Sequence, residues 1–507
     1  MGVPPRHSKS GKSGFGHWVR QVLKECSRDQ AHPDTDSVHN LRVALRHCIS
    51  IADGLLEFDP NPGWKQIKRS AKRLLKQIGE LRDVQVLLNW LGSLDLESTE
   101  PGSTLKRLLE QEQTRCQAEA TEALASFDRK DWRSLARRLS HHAESVEPGS
   151  LPAQYLVLRG WEKTFRRHRF ALRSRSRISF HRLRIAIKDF RYSLEFFVPV
   201  LFSALAGELK FLQDALGECH DLDVLWGKIS RLSAVDAAVK SDLNAKIEAE
   251  RKLRLTKYLG KTKGKGSLWL AWRTLLPREQ NLEECAVAAL ATWASFRSRD
   301  FVRVRRSARL ALELYDALAS RGFANGIPSE RPRYVLGAAA VLQGVGRAQG
   351  KKGHYKRAYR IIRRLPLPIG WKAKDLRLTA LSARYAGKTM PQEKHKEFRG
   401  LATAERGATF FFSGILRIAN CLAQSSEGRV RKFSVDVTNV GIVIQAYGPT
   451  TDGHVFSELS EAKHLLEIAC RRSIVIIPGG QGAPLRASQG VPSAASIGDE
   501  PERALGA

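Results

Sequence analysis

The sequence predicts a mostly α-helical protein: a bundle made from a duplicated helical hairpin, then a second all-helical unit, then a small ββαβ unit. Three observations carry this. Apolar residues recur every three or four positions from about 15 to 425. A pair of segments in the first half occurs twice, in the same order. Alternation with period two is confined to about 430–478.

Composition narrows the class of partner. The 507 residues, 42% hydrophobic, suffice for several cores. Lys and Arg total 84 against 52 Asp and Glu, a formal charge of +32 that repels itself unless a polyanion is the usual partner. Nucleic acid, inorganic polyphosphate and an anionic membrane surface all qualify. The 7 cysteines are scattered without a CxxC pair, which points away from a disulfide framework or zinc site and toward a reducing compartment. No stretch offers about 18 uninterrupted apolar residues, so the expectation is a cytoplasmic protein without a membrane segment.

In chain order, residues 1–14 are a basic, polar N-terminus expected to be flexible, and 15–280 a helical unit punctuated by FDPNPG at 58–63 and VEPGSLP at 146–152. LLPREQNLEE at 275–284 reads as a boundary. Residues 285–425 are helical again, and 301–400 hold 23 Lys/Arg against 6 Asp/Glu. KFSVDVTNVGIVIQAYG reads as two strands turning at Thr438 and Asn439, SELSEAKHLLEIAC as a helix and SIVII as a buried strand, giving ββαβ over 430–478. The tail 479–507, rich in Gly, Ala, Ser and Pro, is expected to be disordered.

The repeat is the most specific signal. VHNLRVALRH at 38–47 matches FHRLRIAIKD at 180–189, with His39 over His181, Arg42 over Arg184 and Arg46 over Lys188. About 40 residues later GELRDVQVLL at 79–88 matches GECHDLDVLW at 217–226. The order and spacing make each copy a helical hairpin. In the second copy His181, Arg184, Lys188 and Arg191 form a cationic stripe beside the apolar stripe of Phe180, Leu183, Ile187 and Phe190. In the first, the helix at 64–83 sets Lys65, Lys68, Lys72, Lys76 and Arg82 beside an apolar seam, with Glu80 the only acid between Trp64 and Arg82. A solvated helix normally intersperses acids with its lysines. The run 165–179 adds six arginines, Arg177 among them, and no acid.

These paired segments resemble the duplicated signature of CHAD domains over about residues 15–275. The resemblance implies a compact helical bundle whose basic groove binds inorganic polyphosphate. It carries His39, Arg42, Arg46, His181, Arg184, Lys188 and Arg191 into that groove, with the lysines of 64–83; Arg82, Arg177 and Lys210, cations of the adjoining runs, are assigned to the same surface. Arg82 and Asp83 become His220 and Asp221 in the second copy, whose later helix has few cations, so the second half of the groove is expected to be less charged.

The second half resembles the helical HD-type domain that follows the catalytic domains of exopolyphosphatase and guanosine pentaphosphatase enzymes, and 430–478 resembles the small domain closing those proteins. An HD site needs a His, a His-Asp pair and a later Asp on a divalent metal. Those positions fall here near Arg303, on Gln343 and Gly344, and on Asn420, so no metal and no cofactor are expected. Lys351, Lys352, His354, Lys356 and Arg357, at a glycine-bounded turn, form a secondary basic patch where phosphate could meet backbone N–H groups.

The reading is therefore noncatalytic polyphosphate binding, with targeting to polyphosphate granules and polyphosphate-metabolising enzymes as partners. Nucleic-acid binding is the alternative, disfavoured because aromatics near the basic runs, such as Trp64 and Tyr192, fall in apolar stripes rather than on a stacking surface. A phosphohydrolase acting on polyphosphate or guanosine pentaphosphate is a third, but neither a P-loop nor a catalytic triad is evident.

Overall fold

A computed structural model describes residues 14–27, 35–95, 99–232, 236–350, 352–424, 432–438, 441–447 and 453–479. The expected flexible N-terminus, apart from Gly14, lies outside the described residues, as do the tail from 480 onward, Asn439 and Lys351.

The first half is helical throughout, as its periodicity predicts. It comprises α1 (Phe15–Glu25), α2 (Thr35–Leu55), α3 (Gly63–Gln77), α4 (Gly79–Ser93), α5 (Glu100–Ala125), α6 (Arg129–Ala143), α7 (Leu151–Ser174), α8 (Arg177–Phe197), α9 (Pro199–Ile229), α10 (Ala237–Thr262) and α11 (Leu268–Leu275). The hairpins α2–α3 and α8–α9 are the two copies of the repeat, and α2 packs on α8. Their close approach needs Gly54, whose added Cβ would stand 2.5 Å from the Phe197 ring.

The turn at 58–63 is tied by buried Asp59, which accepts from Trp64 Nε1 at 2.6 Å and from the Asn61 amide at 3.0 Å. Trp64 is thereby fixed in the core, and α3 leaves the turn with Ile67, Ala71 and Leu74 inward and its lysines outward. Tyr192 is also buried, beside His47.

One apolar core runs from Phe15 through Tyr258, Trp269 and Trp272 to Ala289, so α10, α11 and the start of α12 (Glu279–Ser295) complete the bundle. The stretch read as a boundary runs straight into α12. That helix gives Cys285, Ala286 and Ala289 to the first core and Ala294 to the second, so it joins the two halves rather than separating them.

The second core is built on α13 (Phe301–Ala319), α14 (Pro332–Leu342), a 3-10 turn (Val345–Gln349), α15 (His354–Ile362), α16 (Ala373–Tyr385) and α17 (Thr403–Gln424). A three-stranded sheet follows. β1 (Lys432–Val437) pairs antiparallel with β2 (Gly441–Tyr447), which pairs parallel with β3 (Ser473–Gly479). The one crossover helix expected here is two, α18 (Gly453–Ala462) and α19 (His464–Cys470), broken at Lys463. The sheet shares its core with α13 and α17, and Gly414 lets α17 approach the backbone of Leu466.

Candidate functional site

The two cationic stripes lie on α2 and α8, the helices that meet at the centre of the first bundle. Each copy contributes the same device. Arg42 Nη2 lies 3.9 Å from Asp83, and Arg184 Nη2 lies 3.9 Å from Asp221. Behind each guanidinium is the glycine that opens the second matched segment. A Cβ on Gly79 would stand 3.1 Å from Arg42 Nη1, and one on Gly217 would stand 3.6 Å from Arg184 Nε. Arg42 also donates to the Ile78 carbonyl at 3.5 Å.

Burial lowers the pKa of both arginines, opposed in each case by the facing aspartate. Arg46 acts on Arg42, Arg184 and Lys188 alike, which places it between the copies. Burial first, then Arg184 and Arg46, bring the Lys188 ammonium down to about 7. Asp221 moves up through burial, with Arg184 and Lys188 pulling the other way.

The histidines differ between the copies. His39 is exposed; its pKa falls through desolvation and then through Arg82 and Arg42. His181 is half-buried, its Nδ1 3.1 Å from that of His220, and burial followed by Arg184 and Lys188 lowers its pKa. Burial, Arg184 and His181 bring His220 to about 4. Both imidazoles are therefore neutral at neutral pH, one donating to the other.

The remaining expected residues divide. Lys65, Lys72 and Lys76 project into solvent from α3, while Lys68 pairs with Asp53. Arg191 packs beside the Tyr192 ring at 4.7 Å and acts on His39, so the second copy reaches the first. Arg82 acts on both His39 and Arg42. Lys210 is exposed, beside Asp214. Arg177 stands apart from the stripe, held by Asp223 at 3.2 Å and by Glu248.

Sequence reasoning missed three members, Asp83, Asp221 and His220. The aspartates were visible as the shared D of GELRD and GECHD; what hid them is that a helical carboxylate usually serves only solubility.

Residues 15–230 match the family model of the CHAD domain. The chain carries a CHAD domain. The CHAD domain family is associated with polyphosphate binding. The match stops at the end of α9, whereas the apolar core of the CHAD bundle continues through α10 and α11. No curated protein matches the chain. Among the described residues no helix is long and apolar enough to cross a membrane.

In the second half, Arg303, Gln343, Gly344 and Asn420 line one pocket of about 20 Å³, room for a single water. Asn420 Nδ2 donates to Gln343 Oε1 at 2.7 Å, and Ser307 donates to Asn420 Oδ1 at 2.7 Å. Of the secondary patch, Lys352 and Lys356 are exposed, and His354 Nε2 accepts from Arg347 Nε at 3.2 Å. Arg357 is consumed locally: it donates to the carbonyls of Gly346 (3.0 Å), Lys352 (2.9 Å) and Gly350. It fastens the turn at Gly350 and Gly353, both with positive φ, instead of facing outward.

Proposed function

We propose that the CHAD bundle binds inorganic polyphosphate along the seam of α2 and α8, without chemistry. The observation that carries this reading is the meeting of the two stripes. Arg42, Arg46, Arg184 and Lys188 crowd together until burial and mutual repulsion lower three of their pKa values, and two carboxylates, Asp83 and Asp221, face the cluster. Such crowding costs stability, and a chain of phosphates relieves it through charge-assisted hydrogen bonds. The exposed lysines of α3 extend the surface with contacts that need no fixed geometry.

We read the second half as a degenerate HD-type unit, noncatalytic, with the sheet as its closing piece. Four positions from three segments far apart in sequence surround one pocket, which supports the correspondence. Gly344 has no side chain and the other three offer two amides and a guanidinium; with His354 the single imidazole in the lining and no carboxylate there, the donor set does not fit a divalent cation. Granule targeting and recruitment of polyphosphate-metabolising enzymes follow as roles for a binding protein of this kind.

The test is a titration of the full chain with size-defined polyphosphate against RNA and duplex DNA of matched charge at physiological salt. Tighter binding of polyphosphate is expected, because the aromatics beside the basic runs, Trp64 and Tyr192, are buried in the core rather than offered for stacking. Equal or tighter binding of RNA overturns the reading.

A further inference from the structure

A cavity of about 500 Å³ lies where the two halves meet, walled by the end of α2, by α7, by α12 and by the loop at 365–368. Its volume falls within the range of small-molecule sites, about 300 to 1,000 Å³, and junctions between folding units are where such sites concentrate. Most of the lining residues are apolar, Leu56, Phe58, Leu290, Trp293 and Pro366 among them, and polar groups share the exposed wall.

Four charged side chains line the cavity: Asp53, Glu57, Arg159 and Arg297. Three are already balanced, Asp53 by Lys68 and Glu57 by Arg159. Arg297 has no ion pair among the described residues. Its guanidinium lies over the Trp293 ring, 4.0 Å from the centroid, and its Nη1 donates to the Trp293 carbonyl at 2.9 Å and to the Phe58 carbonyl. Those two bonds use one nitrogen. The nearby carboxylate, Asp59, is already engaged by Trp64 Nε1 and by His142 at 2.9 Å. Nε and Nη2 of Arg297 thus remain as donors at the rim of an apolar, aromatic-walled space.

We propose that this cavity binds a small amphipathic organic anion, a ring-bearing carboxylate, sulfonate or phosphate. Its apolar body lies against Trp293, Leu290 and Pro366, and its charge meets Arg297. The occupant is distinct from a polyphosphate chain, which has no apolar part. The position has a consequence. The Phe58 carbonyl held by Arg297 opens the turn that launches α3, so a ligand engaging Arg297 contacts the support of the lysine-bearing helix.

The probe is 8-anilinonaphthalene-1-sulfonate, titrated by fluorescence into the folded full chain in elevated salt, which screens the basic surface. One saturable site is expected. Leu290→Trp, which fills the cavity from a half-buried position, should weaken it at least about tenfold; if that variant melts early, Leu365→Trp fills it from the opposite wall. Arg297→Gln should weaken the sulfonate about tenfold while leaving uncharged N-phenyl-1-naphthylamine within about twofold. Binding that does not saturate, or that ignores both filling variants, overturns the site. Equal loss of charged and uncharged probes in Arg297→Gln overturns the anion assignment. Neither result depends on which polyanion the CHAD seam prefers.

Discussion

The two hairpins of the CHAD domain share an inner device and differ on the outside. In both, an arginine lies against a glycine and faces an aspartate at 3.9 Å. Outside that couple they diverge. The first copy breaks its second helix at Ile78 into α3 and α4 and covers α3 with lysines, with no acid between Gly63 and Gln77. The second runs α9 unbroken for 31 residues and places Asp214 where the first has Lys76. The first Asp83 is 73% exposed and the second Asp221 27%. Arg42 and Arg184 are equally buried, so the difference lies around them: the first copy adds loose, solvated charge, and the second adds Lys188, whose ionisation burial already disfavours. A flexible polyanion can use both, one for reach and one for hold.

The largest effect should come from the outer difference. Lys65→Ala, Lys72→Ala and Lys76→Ala together should weaken polyphosphate binding about a hundredfold and shallow the log-log salt slope by about 2 to 3. Lys210→Ala, the cation of the corresponding helix in the second copy, should change affinity less than about threefold. Equal losses would mean that the copies contribute alike and that the asymmetry has no bearing on binding.

The inner couple is tested through stability. Asp221→Asn leaves Arg184, 17% exposed, without its facing charge, and should cost about 1 to 3 kcal/mol in denaturant unfolding. Asp83→Asn removes a charge that water already screens and should stay within about 0.5 kcal/mol. Reversed magnitudes would show that the first copy, not the second, holds the strained charge.

A third test uses pH. Lys188 has a pKa of about 7 against an ordinary 10.5 because burial and Arg184 disfavour its charged form. Phosphate favours that form, so binding takes up a proton, and affinity should rise as pH falls from 9 to 7, by up to about tenfold. Below 7 this contribution levels off and the histidines, with His220 near 4, carry any further rise. Stability of the free protein moves the other way: between 7 and 10.5 the unfolded chain binds the extra proton, so this group makes the fold more stable as pH rises. Lys188→Met should flatten both trends; persistence of both would place the titrating group elsewhere.

How much of this was legible follows from what sequence encodes. The stripes and the duplication were legible because helical spacing and order are linear properties. So was the burial of Trp64 and Tyr192. His47 was not. It lies one position past Arg46, yet it is buried, stacked on Trp18 with centroids 3.5 Å apart and a pKa near 3, because helical rotation carries that position into the core. The turn at 350–353 misled for a similar reason. Its charge suggested a phosphate loop, but Arg357 is spent on three carbonyls that only the folded turn brings together. The bridging role of α12 was hidden because its apolar residues serve two cores at once, and periodicity does not say which neighbour a face meets.

The smallest expected effect concerns Arg177, assigned to the groove from its place in an arginine-rich run. It is the first residue of α8, where a cation opposes the helix dipole. It is held by Asp223 and Glu248, and Asp223 is shared with Arg251 at 2.8 Å. A guanidinium between two carboxylates has little net field to offer a third anion, and removing it would require a ligand to displace an ion pair it cannot improve upon. Arg177→Ala should therefore leave polyphosphate affinity within about twofold, measured under the conditions that separate Lys65 from Lys210. A loss beyond about tenfold would show that the ligand reaches past His181 to the start of α8, and would make the second copy's contact surface as long as the first's.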